Sequence, residues 1–213
     1  MSNNPQLLFV AGPNGAGKST FSKELSKPGA IIFDVDIVVA RIEAQSPDMP
    51  KKRVYEDATK EFLKQAIAAV ENKRHFTLET NFRDDDLVDI VAEFKRYGYT
   101  TNMIYLTLES IDQSVFRVNQ RVKNDGHFVD LKTIEQNYKL GLQYLEKYAD
   151  RFDNLEIINV SGDFGKMKSL LSVQEKQLVY LNEDLPDWIE NELTNIASHY
   201  KNNDNERPLG PRR

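Results

Sequence analysis

Phe9-Val10-Ala11-Gly12-Pro13-Asn14-Gly15-Ala16-Gly17-Lys18-Ser19-Thr20 is the stretch that decides how this 213-residue chain is read. The apolar run Leu7–Ala11 is short and continuous and stops at Gly12-Pro13. That suits a strand buried on both faces, as in a parallel sheet. Gly12 to Ser19 then matches G-x-x-x-x-G-K-[ST]. Such a loop turns so tightly that consecutive backbone N–H groups aim at one anion, and glycines permit both the turn and the close approach of phosphate oxygens. Phe21 and Leu25 give the following helix an apolar side. A chance glycine turn followed by a lysine would carry neither the strand before nor the helix after.

The residues expected to hold a nucleotide are therefore Gly12, Pro13, Asn14, Gly15, Ala16, Gly17, Lys18, Ser19 and Thr20. Lys18 supplies a point charge for the β- and γ-phosphates, and Ser19 offers its hydroxyl to Mg2+. Thr20 and the first helical turn present further N–H donors. The motif implies nucleoside triphosphate binding and leaves the reaction open.

Working outward, further strands are predicted at Ala30–Phe33, His75–Leu78, Thr101–Leu106 and Leu155–Asn159. Helical periods fall between them. Ala58, Phe62, Ala66 and Val70 recur every four residues; Leu87, Ile90, Val91 and Phe94 follow Asp84-Asp85-Asp86, with Gly98 placed to end the helix. Ser110 with Gln113 fits a capping box, and Asp130 fits a cap for the helix carrying Ile134, Tyr138 and Leu145. Strand-helix alternation implies an α/β fold with a mostly parallel sheet and helices on both faces. Lys168 to Leu181 reads as a late hairpin, and Trp188 to Ile196 as a last helix.

Composition narrows the function classes. The 28 Lys and Arg against 33 Asp and Glu give a net charge of −5, which argues against a broad nucleic-acid surface. Cys 0 removes disulfides, thiol catalysis and cysteine-held zinc together. His75, His127 and His199 are far apart, so a histidine metal site is not expected. No run approaches the length of a membrane span and the first residues show no signal pattern, so no membrane partner and a cytoplasmic location are expected.

Parallel strands share one carboxyl edge, where ligands bind. The second strand runs into Asp34-Val35-Asp36 and the third into Glu79-Thr80-Asn81-Phe82-Arg83. Both therefore converge on the phosphate loop. A hydroxyl that accepts a phosphoryl group must lose its proton, and Asp36 or Asp34 can take it, unless one of them only caps the next helix. Glu79 can orient a metal-bound water or hold an acceptor hydroxyl. Arg83 can hold an anionic group, or pair with Asp84, Asp85 or Asp86. Arg117 and Arg121, four apart, share a helix face and can place positive charge over a transferring phosphoryl group, or simply solvate that face. Lys123 to His127 reads as a flexible loop, in which His127 contacts phosphate or stabilises the turn.

Taken together, these residues resemble the zeta toxin family of P-loop kinases. The likeness runs from Leu7 to Tyr148 through Phe33-Asp34-Val35-Asp36, Leu78 to Arg83, Arg117 to Val122 and Gly126-His127-Phe128-Val129. The resemblance implies a P-loop NTPase fold of the P-loop kinase type, to which the residues themselves add a small C-terminal hairpin plus helix. A helical lid is placed over 110–150; the length itself suggests one domain, over 1–200, and the polar stretch 201–213, with Pro208 and Pro211 and no apolar period, reads as a disordered tail. The resemblance also implies an ATP-dependent kinase acting on a sugar hydroxyl; the best-known members phosphorylate UDP-N-acetylglucosamine. In that light Asp36 looks like the catalytic base, working with Lys18, Arg117 and Arg121. Glu79, Asn81, Arg83 and His127 look like substrate-side residues, and an antitoxin protein is an implied partner. Two features depart from the family: Asp125-Gly126 stands where relatives often have two glycines, and Gln136-Asn137 stands before Tyr138 where they often have arginine.

Two other classes share the loop. A nucleotide-binding regulatory module or plain ATPase would bind ATP without acceptor-stimulated turnover. An ATP-binding cassette subunit would need a Ser-Gly-Gly-Gln-like segment and an apolar strand ending in Asp-Glu, and neither is present.

Overall fold

The structure, a computed structural model, describes residues 4–123, 126, 128–162 and 167–204. Seven strands are formed: β1 (Gln6–Ala11), β2 (Ile31–Asp34), β3 (Phe76–Thr80), β4 (Thr100–Thr107), β5 (Asn154–Asn159), β6 (Lys168–Gln174) and β7 (Gln177–Leu181). The helices are α1 (Lys18–Leu25), α2 (Val35–Gln45), α3 (Lys51–Glu71), α4 (Asp86–Arg96), α5 (Ile111–Lys123), α6 (Leu131–Tyr148) and α7 (Glu190–Asp204). The strands make one sheet in the order β2-β3-β1-β4-β5-β6-β7. The first five are parallel, and β6 and β7 add as an antiparallel hairpin. Residues 205–213 of the expected tail lie outside the described residues.

Alternation along β1 builds two cores. Leu7, Phe9 and Ala11 join one large cluster with Phe76, Phe82 and Phe152, whereas Val10 joins Ala16, Leu106, Leu108 and Val160 on the other face. Phe9 meets Phe82 and Phe152 edge to face, at 6.2 and 5.3 Å between ring centroids.

Register decides what reaches the carboxyl edge. Val10 lies beside Glu79, and Asp34 beside the same Glu79, so the ends of β1, β2 and β3 are level. β3 runs two residues past the predicted Leu78. Its ladder with β1 continues to Ala11↔Thr80 and keeps Glu79 and Thr80 in the sheet despite their polarity. The helix starts follow their predicted chemistry. Asp34 caps α2, Ser110 Oγ accepts from Gln113 N, and Asp130 accepts from Thr133 N. The reciprocal half of the box at Ser110 is not made, because the Gln113 amide donates to Ser161 O at 2.7 Å instead.

Candidate functional site

The phosphate loop is pressed between the end of β4 and α5. A Cβ on Gly12 would stand 2.3 Å from Leu106 O, and one on Gly15 2.9 Å from Arg117 Cβ. Gly12 at φ 140° and Gly15 at φ 80° also hold backbone that L side chains rarely adopt. Gly17, left-handed, starts α1 without any side-chain cap, and the first turn of α1 carries no acid. That is the form of helix start that accepts an anion.

Lys18 is half-buried, and its ammonium donates to Gly12 O at 2.9 Å, Pro13 O at 3.1 Å and Asn81 Oδ1 at 3.0 Å. Burial pushes its pKa below the ordinary lysine value. Asp36, Glu79 and Asp34, in that order of strength, pull it back up, while Arg121 pushes it further down. All four side chains therefore lie within electrostatic reach of Lys18.

Two carboxylates meet below the loop. Glu79 is 4% exposed; it accepts from Ser22 Oγ and, at 2.9 Å, from Ser19 Oγ. Ser19 Oγ also lies 3.5 Å from Asp34 Oδ2. Burial raises the Glu79 pKa above the usual carboxylate range and the neighbouring charge of Asp34 adds to this; the two serine hydroxyls offset part of the shift. Asp34 Oδ1 accepts from Asp36 N and Ile37 N, which is the capping role. Asp36, in the first turn of α2, is exposed.

On the other side of the loop, Arg83 Nη1 donates to Asn137 Oδ1, and Asn137 Nδ2 donates to Asn14 Oδ1 at 2.7 Å. Ser114 Oγ donates to the Asn14 carbonyl. Arg117 leaves the Gly15 contact and sends its guanidinium to the carbonyls of Val160 at 2.6 Å, Gly162 at 3.2 Å and Ser161 at 3.3 Å. Arg117 thus ties α5 to the segment after β5, and Arg121 lies within electrostatic reach of Lys18. His127 lies outside the described residues. Among the predicted residues, Lys18 with Asn81 and Ser19 with Glu79 are joined by hydrogen bonds at the loop, with Asp36 and Arg121 within electrostatic reach.

Ser22, Ser114, Asn137 and Ser161 were not among the sequence candidates. Ser22, three positions after Ser19 on α1, carried a helical-spacing signal; the other three act over 40 residues or more and carried none. A cavity of about 710 Å³ lies elsewhere on the sheet, lined among others by Gln6, His75, Asn102 and Glu156. It sits toward the strand starts, away from the loop, and its size alone does not make it the site.

Comparison with known proteins agrees with this architecture. The family model described as Zeta toxin matches residues 1–183. An uncharacterised protein of Haemophilus influenzae is 23% identical over 133 residues, 62% of this chain and 92% of that protein. The solved PezAT chromosomal toxin–antitoxin system of the human pathogen Streptococcus pneumoniae superposes with a TM-score of 0.56 at 16% identity, covering 97% of this chain and 89% of that one. The AvrRxo1-ORF1:-ORF2 structure with ATP gives 0.62 at 10% identity, covering 93% and 76%. At these identities the structural likeness is one of fold, a mostly parallel α/β sheet flanked by helices. With the family model spanning most of its length, the chain belongs to the zeta toxin family.

Proposed function

We propose that this chain is an ATP-dependent kinase that transfers the γ-phosphate to a hydroxyl of a small molecule, with a nucleotide sugar such as UDP-N-acetylglucosamine as the acceptor class. The observation that carries this reading is the level ends of β1, β2 and β3, which bring the phosphate loop, Asp34 and Glu79 to one sheet edge. Asp36, in the first turn of α2 just past that edge, is exposed and not used as the helix cap, which suits the proton acceptor. The acceptor oxygen attacks the γ-phosphorus, its proton passes to Asp36, and ADP leaves. Lys18 and Arg121 offset the charge that gathers on the transferring group. Arg83 and Glu79 flank the acceptor side, with Asn81 holding Lys18 between them. The segment 110–150, which carries Arg117 and Arg121, serves as the helical lid.

The use of ATP is supported by family membership and by the loop. The donor set below the loop also suits Mg2+: Ser19, Asp34 and Glu79 offer only oxygen, and the two crowded carboxylates favour a cation between them. Among the described residues no cluster of three or more His, Cys, Asp or Glu could cage a metal alone. Mg2+ would therefore rest on Ser19 and the nucleotide, with the carboxylates beside it, and when bound it neutralises charge on the β- and γ-phosphates. An antitoxin-type protein is the partner that membership suggests, since PezAT is a toxin–antitoxin system. Among the described residues no helix is long and apolar enough to cross a membrane.

The test is incubation with Mg2+-ATP and a panel of nucleotide sugars, read by mass. A product heavier by one phosphate is expected. Tight ATP binding with no phosphorylated product across the panel would favour a nucleotide-binding module instead.

A further inference from the structure

Asn137 is 2% exposed, and both ends of its amide are engaged. Its Oδ1 accepts from Arg83 at 2.5 Å and its Nδ2 donates to Asn14 Oδ1 at 2.7 Å. A guanidinium can only donate, so the atom facing Arg83 must be the oxygen, which turns the amide nitrogen to Asn14. Asn14 is 3% exposed and lies within the phosphate loop, where its own carbonyl is held by the buried Ser114 hydroxyl. One hydrogen-bonded line thus runs from α5 through the loop and α6 to Arg83.

The backbone before Arg83 explains why it reaches this line. Phe82 is fully buried with φ 51°, a left-handed conformation unusual for an aromatic residue. Its ring is locked against Phe9 and Phe152, and its N–H donates to Thr80 Oγ1 at 2.9 Å. The residues on either side of it both turn to the loop, Asn81 to Lys18 and Arg83 to Asn137. The Asn81 bond competes with phosphate for the same ammonium. The Asn137 bond is made to a different group, the Arg83 guanidinium, from a buried amide.

We infer that Asn137 is a positioning residue that couples the phosphate loop to Arg83, so that filling the loop with a nucleoside triphosphate fixes the guanidinium on the acceptor side. This deepens the kinase reading and rests on it. Arg83 is exposed and has many rotamers open to it. An acceptor that is itself held rigid selects one of them, and a displacement of Asn14 reaches Arg83 through two hydrogen bonds, the one to Asn14 buried and the one to Arg83 partly so.

The experiment follows the arginine Nε–H signals of the full chain by nitrogen-15 NMR during titration with Mg2+-AMP-PNP, a non-hydrolysable ATP analogue. The Arg83 signal is assigned by its loss in Arg83→Lys. In the unaltered chain the Arg83 signal should shift as the analogue binds. Asn137→Ala removes both bonds. Asn14→Ala and the size-matched Asn14→Leu leave the Asn137 bond to Arg83 in place and remove only the bond to the loop. Every variant is read at saturating analogue, where the Arg83 response should be lost. If Asn137 merely anchored Arg83, the Asn14 variants would respond like the unaltered chain, and that result overturns the inference. So does an analogue-bound unaltered chain whose Arg83 signal stays still. If one Asn14 variant fails to fold, the other decides. A chain that binds no analogue at all instead removes the nucleotide reading, and the inference falls with it.

Discussion

Lys18 Nζ donates to Asn81 Oδ1 at 3.0 Å, which joins the phosphate loop to the segment leaving β3. With the carbonyls of Gly12 and Pro13 it gives the ammonium three oxygens in place of water. That replacement keeps a half-buried lysine charged against the burial that lowers its pKa. Phosphate oxygens can take over the same positions without exposing the charge.

Removing Asn81 should therefore destabilise the ligand-free chain more than the nucleotide-bound one. Asn81→Ala is expected to cost about 1–2 kcal/mol in denaturant unfolding without ligand, the scale of one hydrogen bond to a charged group in a partly wet site. Saturating Mg2+-AMP-PNP should recover most of that. An equal loss with and without the analogue would mean that Lys18 keeps Asn81 as its partner when phosphate is present.

Asp36→Asn separates proton transfer from binding. The amide keeps the size of the carboxylate but cannot take a proton. Affinity for Mg2+-AMP-PNP should stay near that of the unaltered chain, while acceptor phosphorylation falls by about two to four orders of magnitude. Calorimetry and product mass measure the two separately. Unchanged turnover would move the base to another carboxylate, with Asp34 next in line.

Much of this site was legible because its signals are local. The loop from Gly12 to Ser19 is one contiguous pattern, and Ser110 and Asp130 cap helices within three residues of themselves. The meeting of β1, β2 and β3 ends followed from parallel strands having one shared edge. The strand order β2-β3-β1-β4-β5 was not legible, since an apolar run does not say which run lies beside it. Nor were the partners of buried polar groups. Asn137 reaches Asn14 across 123 positions, and Arg117 reaches Val160 O across 43. Spacing places Arg117 and Arg121 on one face of a helix, but long side chains choose partners by what lies within reach, and Arg117 takes the carbonyls of Val160 to Gly162.

Gly141 shows the close fit behind the site. A Cβ there would stand 2.6 Å from Tyr105 Oη and 2.9 Å from Asn81 O. Among the described residues the buried Tyr105 hydroxyl has no hydrogen-bond partner, and burial pushes its pKa well above the ordinary value. Gly141→Ala should cost about 1–3 kcal/mol by overpacking, even though alanine favours the helix, because α6 must move off β4 and Asn81. Tyr105→Phe alone should be neutral or stabilising, as it removes an unpaired polar atom. The double substitution should regain part of the loss, because one of the two clashes is gone. Strict additivity of the two effects in denaturant unfolding would mean that the clash is relieved by other means.

Glu79 gives the chain a pH dependence of definite sign. Its folded pKa is raised above its ordinary 4.5, chiefly by burial and then by Asp34. In the window from that ordinary value up to the folded one, the folded chain binds more protons than the unfolded chain. Stability contributed by Glu79 is therefore full below the window and lost as pH rises through it. Glu79→Gln resembles the protonated form, and its amide oxygen can still accept from a serine, so it should be flatter across the window and gain stability above it. A divalent cation reverses the sign, because it competes with the proton for the same carboxylates. The extra affinity for Mg2+-AMP-PNP over metal-free AMP-PNP should rise through the window in the unaltered chain and stay flat in Glu79→Gln. A metal-dependent gain that is the same in both chains at every pH would place the cation away from Glu79 and leave that carboxylate to the acceptor alone.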